Sequence, residues 1–134
     1  MNTAIHCRAF ARYVDQVARA RAWLEDTLAT AGHIPDDARA TAVLLLSEAV
    51  TNAVLHTTSR TITVRVELSP GRLRVEAQDE GTGATKPHVV QADPDAEHGR
   101  GLRIMSAFAH EWGCLDHSPG LYYVIAFTPG KAAP

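Results

Sequence analysis

Polar and apolar residues alternate over 61–68, TITVRVEL, so that Ile62, Val64, Val66 and Leu68 share one face. The same period returns over 72–79, RLRVEAQD, with Leu73, Val75 and Ala77. A period of two marks strands with one buried side, and the Ser-Pro-Gly between them makes a hairpin. A second hairpin is predicted from CLDH and LYYVIAFT around another Ser-Pro-Gly. Elsewhere the period is helical. Val14, Val17, Leu24 and Leu28 predict a helix over 13–31, stopped by Gly32. Pro35 and two aspartates open a second helix over 36–56. LRIMSAFAHEW predicts a third over 102–112, and residues 4–10 read as an edge strand. Residues 80–101 hold four glycines and two prolines without a period, which predicts loop. Strands joined as hairpins with helices inserted between them predict an α+β fold: a two-layer sandwich of a mainly antiparallel sheet covered on one face by helices.

The second helix raises the chemical question. In LLLSEAVTNAVLHT, residues 44–57, an apolar run is interrupted by Glu48, Asn52 and His56 at intervals of four. At about 100° per residue these three form one stripe, roughly opposite Val43, Leu46, Val50 and Val54, with Leu44, Leu45 and Ala49 on the flanks. Periodicity alone favours a polar strip facing water. Solvated faces, however, usually carry lysine, arginine and several glutamates, and this strip is narrow. It suits the wall of a wet cavity, where a carboxylate and an amide one turn apart can hold a hydrated Mg²⁺ or orient a nucleophile.

Two glycine motifs follow. Asp79 closes a strand and is followed by Gly81 and Gly83 at D-x-G-x-G spacing; glycine there permits close backbone approach to a ligand, although an exposed turn has the same composition. Gly99 and Gly101 flank Arg100 and lead toward a helix, whose free N–H groups can hold an anion; a flexible hinge with a solvated arginine is the plain alternative. No G-K-[ST] follows, so this is not a P-loop. The glycines do not form one G-x-G-x-x-G turn after a parallel strand.

Composition narrows the classes. The 134 residues make one domain with 46% hydrophobic and 21% charged content. A net charge of −2 without a basic run disfavours direct nucleic-acid binding. The longest uninterrupted apolar run is far too short to cross a bilayer, and the first residues lack the apolar region of a signal peptide. Cys7 and Cys114 read as two thiols in a reducing compartment, and no histidine or cysteine has structural-zinc spacing.

Taken together, SEAVTNAVLH (47–56), DEGTG (79–83) and GRGLRIM (99–105) resemble the N-box and the two glycine boxes of the GHKL, or histidine-kinase-like, ATP-binding superfamily. The resemblance spans nearly the whole chain, residues 1–134 as one domain, and implies the Bergerat ATP-binding fold. The segment ADPDAEHGRGL and the small size resemble the anti-sigma-factor serine/threonine kinase branch. The resemblance implies ATP and Mg²⁺ as ligands, with Asn52 on Mg²⁺ and Glu48 as general base toward a partner's serine. It implies Asp79 as acceptor of the adenine amino group, Gly81 and Gly83 at the adenine side, and an ATP lid at about 84–98. Phosphate would be held by Gly99, Arg100, Gly101 and the amides around Leu102. It further implies a sigma factor and an anti-anti-sigma (STAS-type) protein as partners, a homodimer, and a cytoplasmic location. A nucleotide-gated binder without kinase activity and a detached sensor histidine kinase domain are the alternatives. His56 is given no chemistry, only packing or capping of the helix end. Two positions depart from the pattern: His98 stands where relatives often have glycine, and Tyr122 and Tyr123 stand where a strand threonine often helps to hold adenine.

Overall fold

The computed structural model describes residues 3–56, 60–79 and 97–129, except for the side chains of His56 and of residues 97–102. The elements are β1 (Ala4–Ala11), α1 (Gln16–Ala31), α2 (Asp36–His56), β2 (Thr61–Ser69), β3 (Arg72–Asp79), α3 (Glu97–Phe108), β4 (Glu111–Cys114) and β5 (Gly120–Ala126). The strands form one five-stranded sheet in the order β1-β2-β3-β5-β4, and every neighbouring pair is antiparallel. The three helices lie against one face, so the α+β sandwich expected from the pattern is present.

The alternation read from the sequence sets that geometry. Ile62, Val64, Val66 and Leu68 of β2, Leu73, Val75 and Ala77 of β3, and Leu121, Tyr123 and Ile125 of β5 are buried beneath the helices. Against them pack Leu24 and Leu28 of α1, Leu45, Leu46, Ala49 and Val50 of α2, and Met105 of α3. Burying a side chain of this kind is worth about 1.5–3 kcal/mol, so the shared apolar layer is what holds sheet and helices together. The helix-free face carries a lattice of paired charges. Arg65 reaches Glu67 at 2.9 Å, Arg74 reaches Glu76 at 3.0 Å, and the Arg74 guanidinium stacks 4.0 Å above the Tyr122 ring.

Three boundaries differ from the expectation. α1 begins at Gln16, because the chain first turns through bonds such as Gln16 N–H to the Tyr13 carbonyl. Val14 therefore stands outside the helix and is 73% exposed rather than part of its apolar face. α3 begins at Glu97, within the stretch expected to be loop, and ends at Phe108 instead of running to residue 112. The chain leaves it because His110 N–H donates to the Val124 carbonyl at 2.8 Å and Glu111–Cys114 pair with β5. Sheet pairing thus overrides the helical spacing of Met105, Ala109 and Trp112.

By length and composition α2 could cross a membrane. Here its apolar side is used as a core helix's is, against α1, α3 and the strands.

Candidate functional site

The site is built from α2 outward. Its buried residues, Ala42, Leu45, Leu46, Ala49 and Val50, occupy one arc of the helix, while Leu44 is 41% and Leu55 60% exposed. The two flanks are therefore unequal among the described residues: the Leu45/Ala49 flank is buried and Leu44 is exposed. Glu48 and Asn52 are half-buried. By helical rotation they stand at the boundary between the two arcs, with Glu48 nearer the open side. Among the described residues, no side-chain hydrogen bond or ion pair engages either one. His56 ends the helix, and its side chain lies outside the described residues.

Connectivity then brings Asp79 to the same end of the sandwich. Only residues 57–60 separate α2 from Thr61 at the start of β2, and Ile62 pairs with Asp79 at the end of β3. A link of four residues spans at most about 14 Å, so the Asn52 end of α2 must lie near the Asp79 end of β3. Asp79 also shares the parity of Leu73, Val75 and Ala77, the residues buried beneath the helices. Its side chain is thus on the α2 side of the sheet, half-buried, with Ile62, Ala77 and Leu121 as buried apolar neighbours on the same face. Its backbone N–H is held by the Pro119 carbonyl at 3.0 Å.

Gly120 makes this corner possible. It sits opposite Gln78 with φ +140°, and a Cβ there would lie 2.2 Å from the Ala77 carbonyl oxygen. No side chain fits so close to the strand that ends in Asp79.

α3 supplies the third wall. Its C-terminal end is anchored through His110 and Glu111 to Val124, three residues along β5 from Leu121 and away from the Asp79 end. The helix has 12 residues, about 18 Å of axis, and packs along α2. Its N-terminus therefore lies back toward the corner holding Asn52 and Asp79. Gly99, Arg100, Gly101 and Leu102 lie in the first turns of α3, not ahead of it. The first four N–H groups of a helix lack internal acceptors, which leaves the amide of Gly99 turned out while Gly101 and Leu102 can bond one turn back. Gly81 and Gly83, with residues 84–96 of the expected lid, lie outside the described residues; His98 falls within α3.

The two tyrosines have other duties. Tyr123 is fully buried, and its hydroxyl donates to the Ala42 carbonyl at 2.7 Å, tying β5 to the middle of α2. Burial without a charged partner pushes its phenol well above the ordinary tyrosine range. Tyr122 is on the helix-free face, where it donates to Glu111 Oε2 at 2.8 Å; that bond raises its phenol as well. Ala42 lies six residues before Glu48, about 9 Å along the helix. Neither phenol occupies the corner defined by Asn52 and Asp79. Nothing in the sequence signals the Tyr123–Ala42 tie beyond the alternation that turns residue 123 inward.

The family model of the histidine kinase-like ATPase domain matches residues 10–121. That is most of the chain, which belongs to this family. No curated protein sequence matches it. Members of the family bind ATP, usually with Mg²⁺, and use it in kinase or ATPase chemistry. The donor set of the corner fits that ion. Among the described residues no cluster of three His, Cys, Asp or Glu side chains is present to enclose a metal. An amide oxygen such as that of Asn52 could supply one protein ligand to a Mg²⁺ that would otherwise keep phosphate oxygens and water.

Proposed function

We propose that this ATP-binding domain is a cytoplasmic anti-sigma factor that phosphorylates a serine or threonine of an anti-anti-sigma (STAS-type) partner. The observation that carries the reading is Glu48: a half-buried carboxylate without an internal partner among the described residues, one turn from Asn52, on the open margin of the helix that walls the nucleotide corner. A carboxylate kept for packing would be expected to hold an ion pair or a hydrogen bond. One left accessible beside the phosphate end of a nucleotide suits a general base.

In this reading ATP enters with adenine toward Asp79 and phosphates toward Asn52 and the start of α3. The Asp79 carboxylate accepts from the adenine amino group, and Ile62, Ala77 and Leu121 supply the apolar floor beneath. Asn52 would hold Mg²⁺, which would offset phosphate charge. Glu48 accepts the proton of the partner's hydroxyl as its oxygen bonds to the γ-phosphorus; the bond to the β–γ bridging oxygen breaks, and ADP leaves. Arg100 has a place in the first turn of α3 from which to meet phosphate. A sigma factor, a second partner in this reading, would bind an outer surface, and the chain would act as a homodimer.

The alternative of a nucleotide-gated binder shares all these contacts except the use of Glu48. A detached histidine kinase domain would need a phosphoacceptor histidine segment, and nothing in the corner favours that. The test is transfer of label from γ-labelled ATP with Mg²⁺ to the antagonist protein, comparing Glu48→Gln and Asn52→Ala. Glu48→Gln keeps shape, so nucleotide binding should persist while transfer falls by ~10²–10⁴-fold. Asn52→Ala should lose both. Transfer that is undiminished in Glu48→Gln would remove the base from the scheme, and ATP-dependent sigma-factor binding with no transfer by the wild type would leave the binder.

A further inference from the structure

The proposed nucleotide corner is shared by two elements. α2 supplies Glu48 and Asn52, and the sheet supplies Asp79 with its apolar floor. Between them lies an apolar layer, with Ala42, Leu45, Leu46, Ala49 and Val50 of α2 in one buried core with Val75, Ala77, Leu121 and Tyr123 of the sheet. Contact of this kind holds a helix to a sheet, but it is non-directional and does not by itself select one rotation of the helix. A hydrogen bond does, because it weakens steeply away from its preferred angle. Among the described residues, one side-chain hydrogen bond joins α2 to the sheet: the fully buried Tyr123 hydroxyl donates to the Ala42 carbonyl at 2.7 Å. Ala42 is itself buried and has no side chain beyond Cβ, which leaves the helix backbone within reach of the phenol. The acceptor is a backbone atom, so the bond fixes the helix itself and not a side chain free to turn.

The tie stands at the far end of a frame whose other end is the corner. Tyr123 is opposite Val75 in the β3–β5 register, and Asp79 lies four residues further along β3, about 13 Å away. Ala42 precedes Glu48 by six residues and Asn52 by ten, about 9 and 15 Å along α2. Both arms therefore run from the tie toward the same end of the sandwich and are nearly equal in length. We propose that Tyr123 is a positioning residue for the nucleotide site, setting the rotation and axial place of α2 and through them the placement of Asn52 and Glu48 against Asp79. The assignment rests on the nucleotide corner proposed above. Turning a helix by about 10° moves a side-chain head about 6 Å from its axis by about 1 Å. A misplacement of that size can cost about 10²-fold where geometry is critical, and Mg²⁺ demands near-ideal octahedral ligands. The adenine side has no such dependence, because Asp79, Ile62, Ala77 and Leu121 all belong to the sheet. Loss of the tie therefore weakens the metal-dependent part of nucleotide binding and spares the rest.

The test is calorimetry on the full chain with ATP, once with Mg²⁺ and once with a chelator. Tyr123→Phe removes the donor and keeps the ring. Ile125→Val, two residues along β5 in the same buried layer, perturbs packing and leaves the tie in place. Wild type should bind ATP more tightly with Mg²⁺ than with chelator. Tyr123→Phe should bind chelated ATP within about twofold of wild type and lose about tenfold or more in Mg-ATP affinity, while Ile125→Val changes neither. Equal losses with and without Mg²⁺, or the same loss in Ile125→Val, would make Tyr123 structural only and overturn the assignment. Undiminished Mg-ATP affinity in Tyr123→Phe overturns it and leaves the corner standing. A wild type indifferent to Mg²⁺ removes the metal side of the corner, and the assignment with it.

Discussion

Replacing Tyr123 by phenylalanine removes one oxygen from the centre of the sandwich and leaves the ring. The lost bond is 2.7 Å long and fully buried, from the phenol to the Ala42 carbonyl in α2. That carbonyl keeps its intrahelical donor, so the cost is nearer a net hydrogen bond than a stranded acceptor, about 1 kcal/mol at neutral pH. For a chain of 134 residues this is a fall of roughly 3–4 °C in Tm.

The pH dependence makes the test sharper. The folded-state phenol is raised well above its ordinary value of 10.0 by burial. Below pH 10 the group is neutral in both states, so the contribution of the tie is fully present. Above it, the unfolded chain releases this proton and the folded one holds it; stability therefore falls as pH rises, by up to about 1.4 kcal/mol per pH unit. Tyr123→Phe has no proton to release, and all other groups are common to both proteins. The wild-type advantage should shrink from pH 10 upward and reverse about one unit higher, measured as paired urea melts. A constant gap through pH 11 would refute the buried-proton argument, and no gap at pH 7 would refute the tie.

Mg-ATP at a hundredfold excess over Kd should add about 2.7 kcal/mol of stability by mass action, seen as a thermal shift that chelation of Mg²⁺ diminishes; no shift would remove the nucleotide corner. Asp79→Asn should cost about 1.5–3 kcal/mol of ATP affinity in calorimetry and narrow the preference over GTP, because an amide can also donate to a carbonyl oxygen. Gly120→Ala should lose about 3 kcal/mol or more in denaturant melts, since both its φ of +140° and the 2.2 Å approach to the Ala77 oxygen resist a Cβ; a loss below 1 kcal/mol would mean that the corner relaxes freely.

The strands were legible because alternation in TITVRVEL and RLRVEAQD sets both element type and buried side at once. The bounds of α2 were legible from Pro35, the two aspartates and the periodic run that follows. α3 was legible only as a helix. Its start at Glu97 runs through two glycines, which intrinsic propensity argues against, and its end is set by a strand, β5, that begins only at Gly120. The two tyrosines show the same limit at the level of side chains. They stand where a strand threonine often helps to hold adenine, and the parity of β5 turns one into the core and the other onto the charged face. Local pattern carries no record of which strand a residue will meet.

That limit also explains why Glu48 is more informative in the fold than in the sequence. From spacing alone, Glu48, Asn52 and His56 form one stripe whose centre is Asn52. Packing breaks the symmetry of the stripe, because among the described residues Leu45 and Ala49 on one flank of α2 are buried while Leu44 on the other is 41% exposed. Asn52 then lies toward the covered side and the Asp79 corner, and Glu48 toward the side a partner could reach. A metal ligand must face the bound phosphates, whereas a base must face both the phosphates and an incoming hydroxyl. In the proposed scheme, the inequality of the two flanks would separate those roles by position, which the repeat of four could not do.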